Sequence, residues 1–297
     1  MRHRMFIWLL LGGGAFVLLA VALVAVMLTF SADDGTDLAF SDRIQVVDLD
    51  GELVESRPIL DQLKRYEDSN SVKAILLNID SPGGGVAVSQ EIYTEIKRLR
   101  DKKDKVVIAY LSSTGASGAY YVACAANKIV ANPGTIVGSI GVIAEWVNYA
   151  DLMQWAKLKD IVFKTGEFKD TGSPSRALTE NEKKYFQGLI DDMYVQFVEA
   201  VASGRKLDLP EVRSLADGRV FTGRDAKARK LIDEIGNFQD AVDLTAKLAG
   251  ISGKPRLIRL SRRRVTLLDV LTTDLSRFVP FNGQSMKSQI KFQYIWK

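Results

Sequence analysis

The chain has 297 residues, 47% of them hydrophobic, and a formal net charge of +4 from 40 basic and 36 acidic side chains. That is enough for one large domain or two small ones plus a membrane segment, and the basic excess is too small to point to nucleic acid. The single histidine, His3, stands at the extreme N-terminus, which excludes a Ser-His-Asp triad, a Cys-His dyad and a histidine-rich zinc site from the folded part.

In chain order, Phe6 to Phe30 carries no charged residue. The run exceeds the ~20 residues that cross a bilayer. It is also longer than the apolar core of a cleaved leader, and no convincing cleavage site follows. An uncleaved anchor over 6–30 is therefore expected, ahead of a cleaved signal or a buried core helix. Arg2 and Arg4 precede the run and Asp33, Asp34 and Asp37 follow it. The positive-inside rule then puts residues 1–5 in the cytoplasm and everything after the anchor on the far side of the inner or plasma membrane. The polar stretch 31–42 reads as a tether.

Ile44 to Leu53 reads as a first strand, Pro58 to Tyr66 as a helix, and Val72 to Ile79 as a buried strand. Asp80 to Gly85 is expected to be a loop without regular structure. Ala87 to Leu99 places Val88, Ile92, Ile96 and Leu99 at helical spacing, and Val106 to Leu111 is the next strand. Gly115 to Ala126 reads as a small-residue helix, and Ile129 to Ala144 as short strands with glycine turns. A helix is expected over Asn148 to Leu158 and a strand over Ile161 to Lys164. Thr179-Glu180-Asn181-Glu182 is a capping box for a long helix to about Ala202. Its apolar stripe of Tyr185, Leu189, Met193, Phe197 and Val201 faces either the core or another subunit. Strands alternating with helices indicate an α/β domain over 43–253. A basic extension, 254–297, contains Arg262-Arg263-Arg264 and reads as a solvated tail or a contact surface.

Few residues can carry chemistry. Cys124 lies in an apolar setting without a histidine partner and reads as buried and structural. No acidic cluster resembles a metal cage, and no cofactor is expected. Ser81 to Gly85 follows a strand and precedes a helix, where glycine lets backbone N–H groups approach a ligand or an oxyanion. The run lacks the Lys-Ser/Thr ending of a phosphate loop, and alone it reads equally well as a structural turn. Ser117 follows a strand at a helix start, where Gly118 could supply an oxyanion N–H; a simple helix cap is the plainer alternative. Lys169, in Thr165 to Asp170, could serve as a base only where desolvation favours its neutral form. Ser139 could orient such an amine, or could belong to a glycine turn.

Five blocks stand in order: Asp80 to Gly85, Ala116 to Tyr121, Gly138 to Ile143, Gly166 to Pro174 and Asp217 to Gly223. Together they resemble the signal peptide peptidase family, also called protease IV, in its short single-domain form, over most of 43–245. The resemblance implies a fold like Clp protease and crotonase, with repeated ββα units assembled into a homo-oligomeric ring. It implies Ser117 as nucleophile, Lys169 as general base, Ser139 as the hydroxyl that orients the lysine, and Gly84 and Gly118 as oxyanion donors. One departure is Ala119, where the family commonly carries a second glycine after the serine. The reading is a membrane-anchored Ser/Lys endopeptidase acting on apolar peptides, remnant signal peptides among them, outside the cytoplasm. A crotonase-like acyl-CoA enzyme and a non-catalytic membrane scaffold are the rivals.

Overall fold

The computed structural model describes residues 42–65, 67–102, 105–259 and 291–297. The anchor expected over 6–30 and the Arg262 to Arg264 run lie outside the described residues. Among the described residues no helix is long and apolar enough to cross a membrane.

The centre is an eight-stranded mixed sheet. Strands β1 (Arg43–Asp50), β2 (Val72–Ser81), β4 (Val106–Ala116), β5 (Lys128–Ala131), β9 (Glu234–Ile235) and β10 (Arg256–Arg259) run in the order β10-β1-β2-β4-β5-β9. All these neighbours are parallel. The upper half of β4 pairs with β6 (Ile136–Gly138) in parallel, and β6 pairs with β8 (Val220–Thr222) antiparallel. Parallel strands are covered on both faces, which explains the nearly unbroken apolar run of β2. Alternation then assigns the faces. Val47, Leu49, Ile75, Leu77, Val107 and Ala109 pack under α1 (Arg57–Arg65) and α2 (Val86–Lys102), through Leu63, Ile92, Ile96 and Leu99. Ile44, Val46, Ala74, Leu76 and Ile108 face α8 (Phe238–Leu248), through Ala241, Val242 and Ala246. Each fully buried Leu or Ile contributes about 1.5–3 kcal/mol.

Several expectations are corrected. The first strand stops at Asp50, because Gly51 turns the chain at φ 71° and Leu53 returns to bridge Gly84. The glycine run is not an irregular loop. Gly83–Gly85 forms β3, in a second sheet of order β3-β11-β7 with β7 (Ile143–Glu145) and β11 (Lys291–Ile295). Ile161 to Lys164 makes no strand; its side chains stand exposed, and none of the described strands pairs with it. The expected helix over 148–158 shortens to α4 (Ala150–Trp155), whereas α5 runs over Glu180–Arg205 from the predicted capping box. Phe197 and Val201 of its stripe are buried, but Tyr185 is exposed and Phe186 turns inward instead. Within the 254–297 extension, β10 and β11 are strands of the two sheets.

Candidate active site

The site forms where β4 ends. Ala116 closes the strand, Ser117 follows, and α3 (Gly118–Ala123) begins at once. Ser117 has φ 54° and ψ −120°, a backbone state that costs a non-glycine residue about 1–3 kcal/mol. Its N–H donates to the carbonyl of Gly138 at 2.7 Å, and its carbonyl accepts from the N–H of Tyr121 at 2.8 Å. The turn is therefore held on both sides by backbone. Its Oγ caps nothing: it is buried and has no hydrogen-bond partner. A strained strand-to-helix turn that presents an uncommitted hydroxyl is the geometry a serine nucleophile requires. The plainer helix-cap role is corrected, since a capping Oγ would accept an N–H of the first turn.

The glycine strand lies against this turn. Gly83, at φ 101°, leaves no room for a side chain, because a Cβ there would overlap the Tyr294 carbonyl oxygen and lie 2.6 Å from the Gly118 nitrogen. A Cβ on Gly118 would overlap the Ser89 Oγ and lie 3.2 Å from the Gly84 nitrogen. Gly83 and Gly85 bond to Leu53, through Leu53 N–H to Gly83 O at 2.8 Å and Gly85 N–H to Leu53 O at 2.9 Å. Gly84 faces the other way, towards Tyr294 of β11. The backbone of Gly84 and that of Gly118 thus approach each other beside Ser117.

Ser139 follows β6, at φ 52°, with its N–H donating to Arg219 O at 2.8 Å. It edges a cavity of about 610 Å³ whose lining includes Ile140, Val142, Ile190, Tyr194 and Trp296. Four of the five sequence blocks thus meet: the glycine strand, the Ser117 turn, the Ser139 turn and the Asp217 to Gly223 segment.

The fifth block stands differently. Lys169 lies in a short 3-10 turn, Glu167–Asp170, with its side chain exposed. It makes no hydrogen bond to Ser117, whose Oγ has no partner. The turn itself is fastened. Arg176 donates through Nε to Asp170 Oδ2 at 3.0 Å and through Nη1 to Glu182 Oε2 at 2.8 Å. Thr171 Oγ1 also donates to Glu182, at 3.1 Å. The hydrogen bond from Arg176 holds the Glu182 carboxyl down at about 2, and bonds from Arg176 and Lys164 hold that of Asp170 well below the usual range. A hollow of about 660 Å³ lies between α4 and this segment and is lined by neither Ser117 nor Lys169.

Cys124 is buried, and desolvation pushes its thiol up to about 12, as expected of a structural cysteine. Among the described residues no cluster of His, Cys, Asp or Glu could hold a metal. Two participants were not found from sequence: Ser89, buried behind Gly118, and Tyr294 of β11. The alternation of Phe292, Tyr294 and Trp296 is the signal that could have found β11.

A mixed, largely parallel sheet whose central strand delivers a buried, strained serine beside a glycine strand fits a serine peptidase of Clp-like α/β fold. A Clp protease model matches residues 33–135. The chain belongs to peptidase family S49, whose model matches residues 99–252. It is 43% identical over 195 residues to a Synechocystis protein named "Putative protease", covering 66% of this chain and 69% of that one. It is 39% identical over 188 residues to an Enterococcus faecium protein named "Putative signal peptide peptidase SppA", covering 63% of this chain and 54% of that one. With "Protease 4" of Haemophilus influenzae it shares 32% identity over 69% of this chain and 35% of that longer protein.

Proposed function

We propose that the chain is a membrane-anchored Ser/Lys endopeptidase that hydrolyses apolar peptides, remnant signal peptides among them, outside the cytoplasm. The observation that carries this reading is the strained Ser117 turn, with its buried and unpartnered Oγ beside Gly84 and Gly118. Ser117 Oγ attacks the scissile carbonyl as its proton passes to Lys169. The N–H groups of Gly84 and Gly118 hold the oxyanion. Collapse expels the amine, which takes the proton from Lys169, and water then hydrolyses the acyl-enzyme. Ser139 orients the lysine amine. The name of the Enterococcus relative supports signal peptides as substrates. The uncharged run Phe6 to Phe30 supports an anchor that keeps the site near them.

A lysine acts as a base only in a water-poor site. Lys169 is exposed, and its segment also bears exposed Trp155, Ile161 and Phe163. These apolar side chains support a homo-oligomer of four or more subunits, in which neighbours cover the segment. Ser117→Ala and Lys169→Ala should each abolish peptidase activity with the fold retained. Lys169→Arg should not restore it, because arginine stays protonated. Full activity in either alanine variant refutes the dyad. Light scattering of the full chain in detergent should give at least four subunits; a stable, fully active monomer refutes the assembly.

A further inference from the structure

Lys169 lies in the 3-10 turn Glu167–Asp170, and the bonds that close this turn are long: Lys169 N–H to Gly166 O at 3.3 Å and Thr171 N–H to Phe168 O at 3.2 Å. A single 3-10 turn of this kind has little stability of its own. Side chains set its position. The Glu167 carboxyl accepts from Asn181 Nδ2 at 3.1 Å, and the Phe168 ring lies 5.2 Å from that of Tyr185. Lys164 Nζ spans the turn, donating to Glu167 O at 2.9 Å and to Asp170 Oδ1 at 2.6 Å. Among the described residues, Lys169 alone of the four has a side chain without a hydrogen bond, ion pair or ring contact.

The strongest tie is Arg176. Its guanidinium grips the residue that follows Lys169: Nε donates to Asp170 Oδ2 at 3.0 Å and Nη2 to Oδ1 at 2.9 Å, and Nη2 also reaches the Asp170 carbonyl at 3.3 Å. The same guanidinium binds both carboxylate oxygens of Glu182, at 2.8 Å through Nη1 and again through Nη2. Glu182 is buried in the first turn of α5, where it completes the capping box with Thr179. Further along, α5 is built into the core through Phe197, Val198 and Val201. The backbone of Arg176 is itself tied, since its carbonyl accepts from Asn148 Nδ2 at 2.8 Å. Bidentate guanidinium–carboxylate pairs fix geometry as well as adding energy. One side chain thus fastens the turn that carries Lys169 to a helix of the core.

The same side chain also settles charge. Asp170 follows Lys169 directly in the chain. An ammonium paired with a carboxylate is favoured in its charged form, which cannot accept a proton. Here Lys164 and Arg176 take up the Asp170 carboxyl, and Arg176 takes up that of Glu182. We propose that Arg176 is a positioning residue for Lys169: it ties the 167–170 turn to α5 and occupies the two carboxylates that would otherwise draw the lysine aside. This rests on the reading of Lys169 as general base, because only then does the placing of its amine set the rate.

The test uses the full chain in detergent. It reads the rate of fluorophosphonate labelling at Ser117, the fraction labelled at completion, and kcat and KM on a fluorogenic peptide. Arg176→Gln should slow labelling and kcat together by about 10²-fold, with KM within about twofold and the labelled fraction unchanged. Asp170→Asn should slow both about tenfold. The doubly substituted Arg176→Gln/Asp170→Asn protein should be no slower than Arg176→Gln, because both changes cut one tie and the second removes the carboxylate that the first sets free. Three results overturn the proposal: an unchanged rate in Arg176→Gln, a parental rate with only the labelled fraction reduced, as lost folding alone would give, or a double variant slowed by the product of the single effects. Should Arg176→Gln fail to fold, Arg176→Lys keeps the charge without the fork and decides in its place, with labelling slowed about tenfold; a parental rate there overturns the proposal. Parental labelling in Lys169→Ala would defeat the base reading and this proposal together, whereas slow labelling there beside a parental rate in Arg176→Gln would defeat this proposal alone.

Discussion

The two halves of the proposed dyad lie in opposite surroundings. Ser117 is 1% exposed and its turn is fixed by backbone bonds to β6 and α3. Lys169 stands on a surface segment where Trp155 is 81% and Phe163 95% exposed. The first region is determined by the single chain: β4 is paired on both sides, and its end cannot move without breaking the sheet. The second has a determined backbone, through Arg176, Asp170 and Glu182, but apolar side chains without cover. The geometry of the proposed nucleophile is therefore a property of the fold, whereas the dryness that the proposed lysine base needs must come from whatever covers the second region.

Five substitutions sharpen this contrast. Ser117→Ala should lower kcat/KM by about 10⁴-fold or more, the scale for loss of a serine nucleophile. Ser117→Gly should be equally inactive yet raise stability by about 1 kcal/mol in chemical denaturation, because glycine adopts the strained state without cost. If glycine at 117 destabilises, the turn is not strained.

Gly83→Ala should cost about 3 kcal/mol or more, since its Cβ would meet backbone on two sides at a positive φ. Urea unfolding measures it, and a loss below about 1 kcal/mol would mean that the glycine strand can move away from Ser117.

In the second region, Glu182→Gln should cost about 2 kcal/mol by loosening Arg176 and the capping box. Its folded-state carboxyl is held at about 2, below its unfolded value. The stability it confers is therefore present above the unfolded value of ~4.3 and is lost as pH falls towards 2. The thermal midpoint of the parent should fall over that window more steeply than that of Glu182→Gln. Parallel curves would show that the ion pair does not hold the segment.

Phe163→Ser should have the smallest effect on folding, within about 0.5 kcal/mol, because its side chain is 95% exposed. It should nevertheless reduce the mass seen by light scattering and lower activity. Unchanged mass and activity would separate the exposed apolar segment from catalysis.

Much of the first region was legible in the sequence. The unbroken apolar run of β2 and the helical spacing of Ile92, Ile96 and Leu99 follow from two-sided burial of a parallel strand beneath a crossover helix. The Thr179 to Glu182 box marked the start of α5 because both of its reciprocal bonds are local. The glycine strand was not legible. Glycine has low strand propensity, and β3 forms only because Leu53 and β11 supply backbone partners from far away in the chain. Ile161 to Phe163 failed for the opposite reason. A short apolar run signals a strand only if something pairs with it, and here none of the described strands does. Its hydrophobicity belongs to a surface, which periodicity cannot distinguish from a core.

The central claim is that Ser117 is a nucleophile activated by Lys169. Labelling the parent, Ser117→Ala and Lys169→Ala with a serine-reactive fluorophosphonate, followed by peptide mapping, tests it most directly. The account predicts a single adduct on Ser117 in the parent, none in Ser117→Ala, and strongly slowed labelling in Lys169→Ala. An adduct on another serine, or undiminished labelling of Ser117 without Lys169, would contradict it.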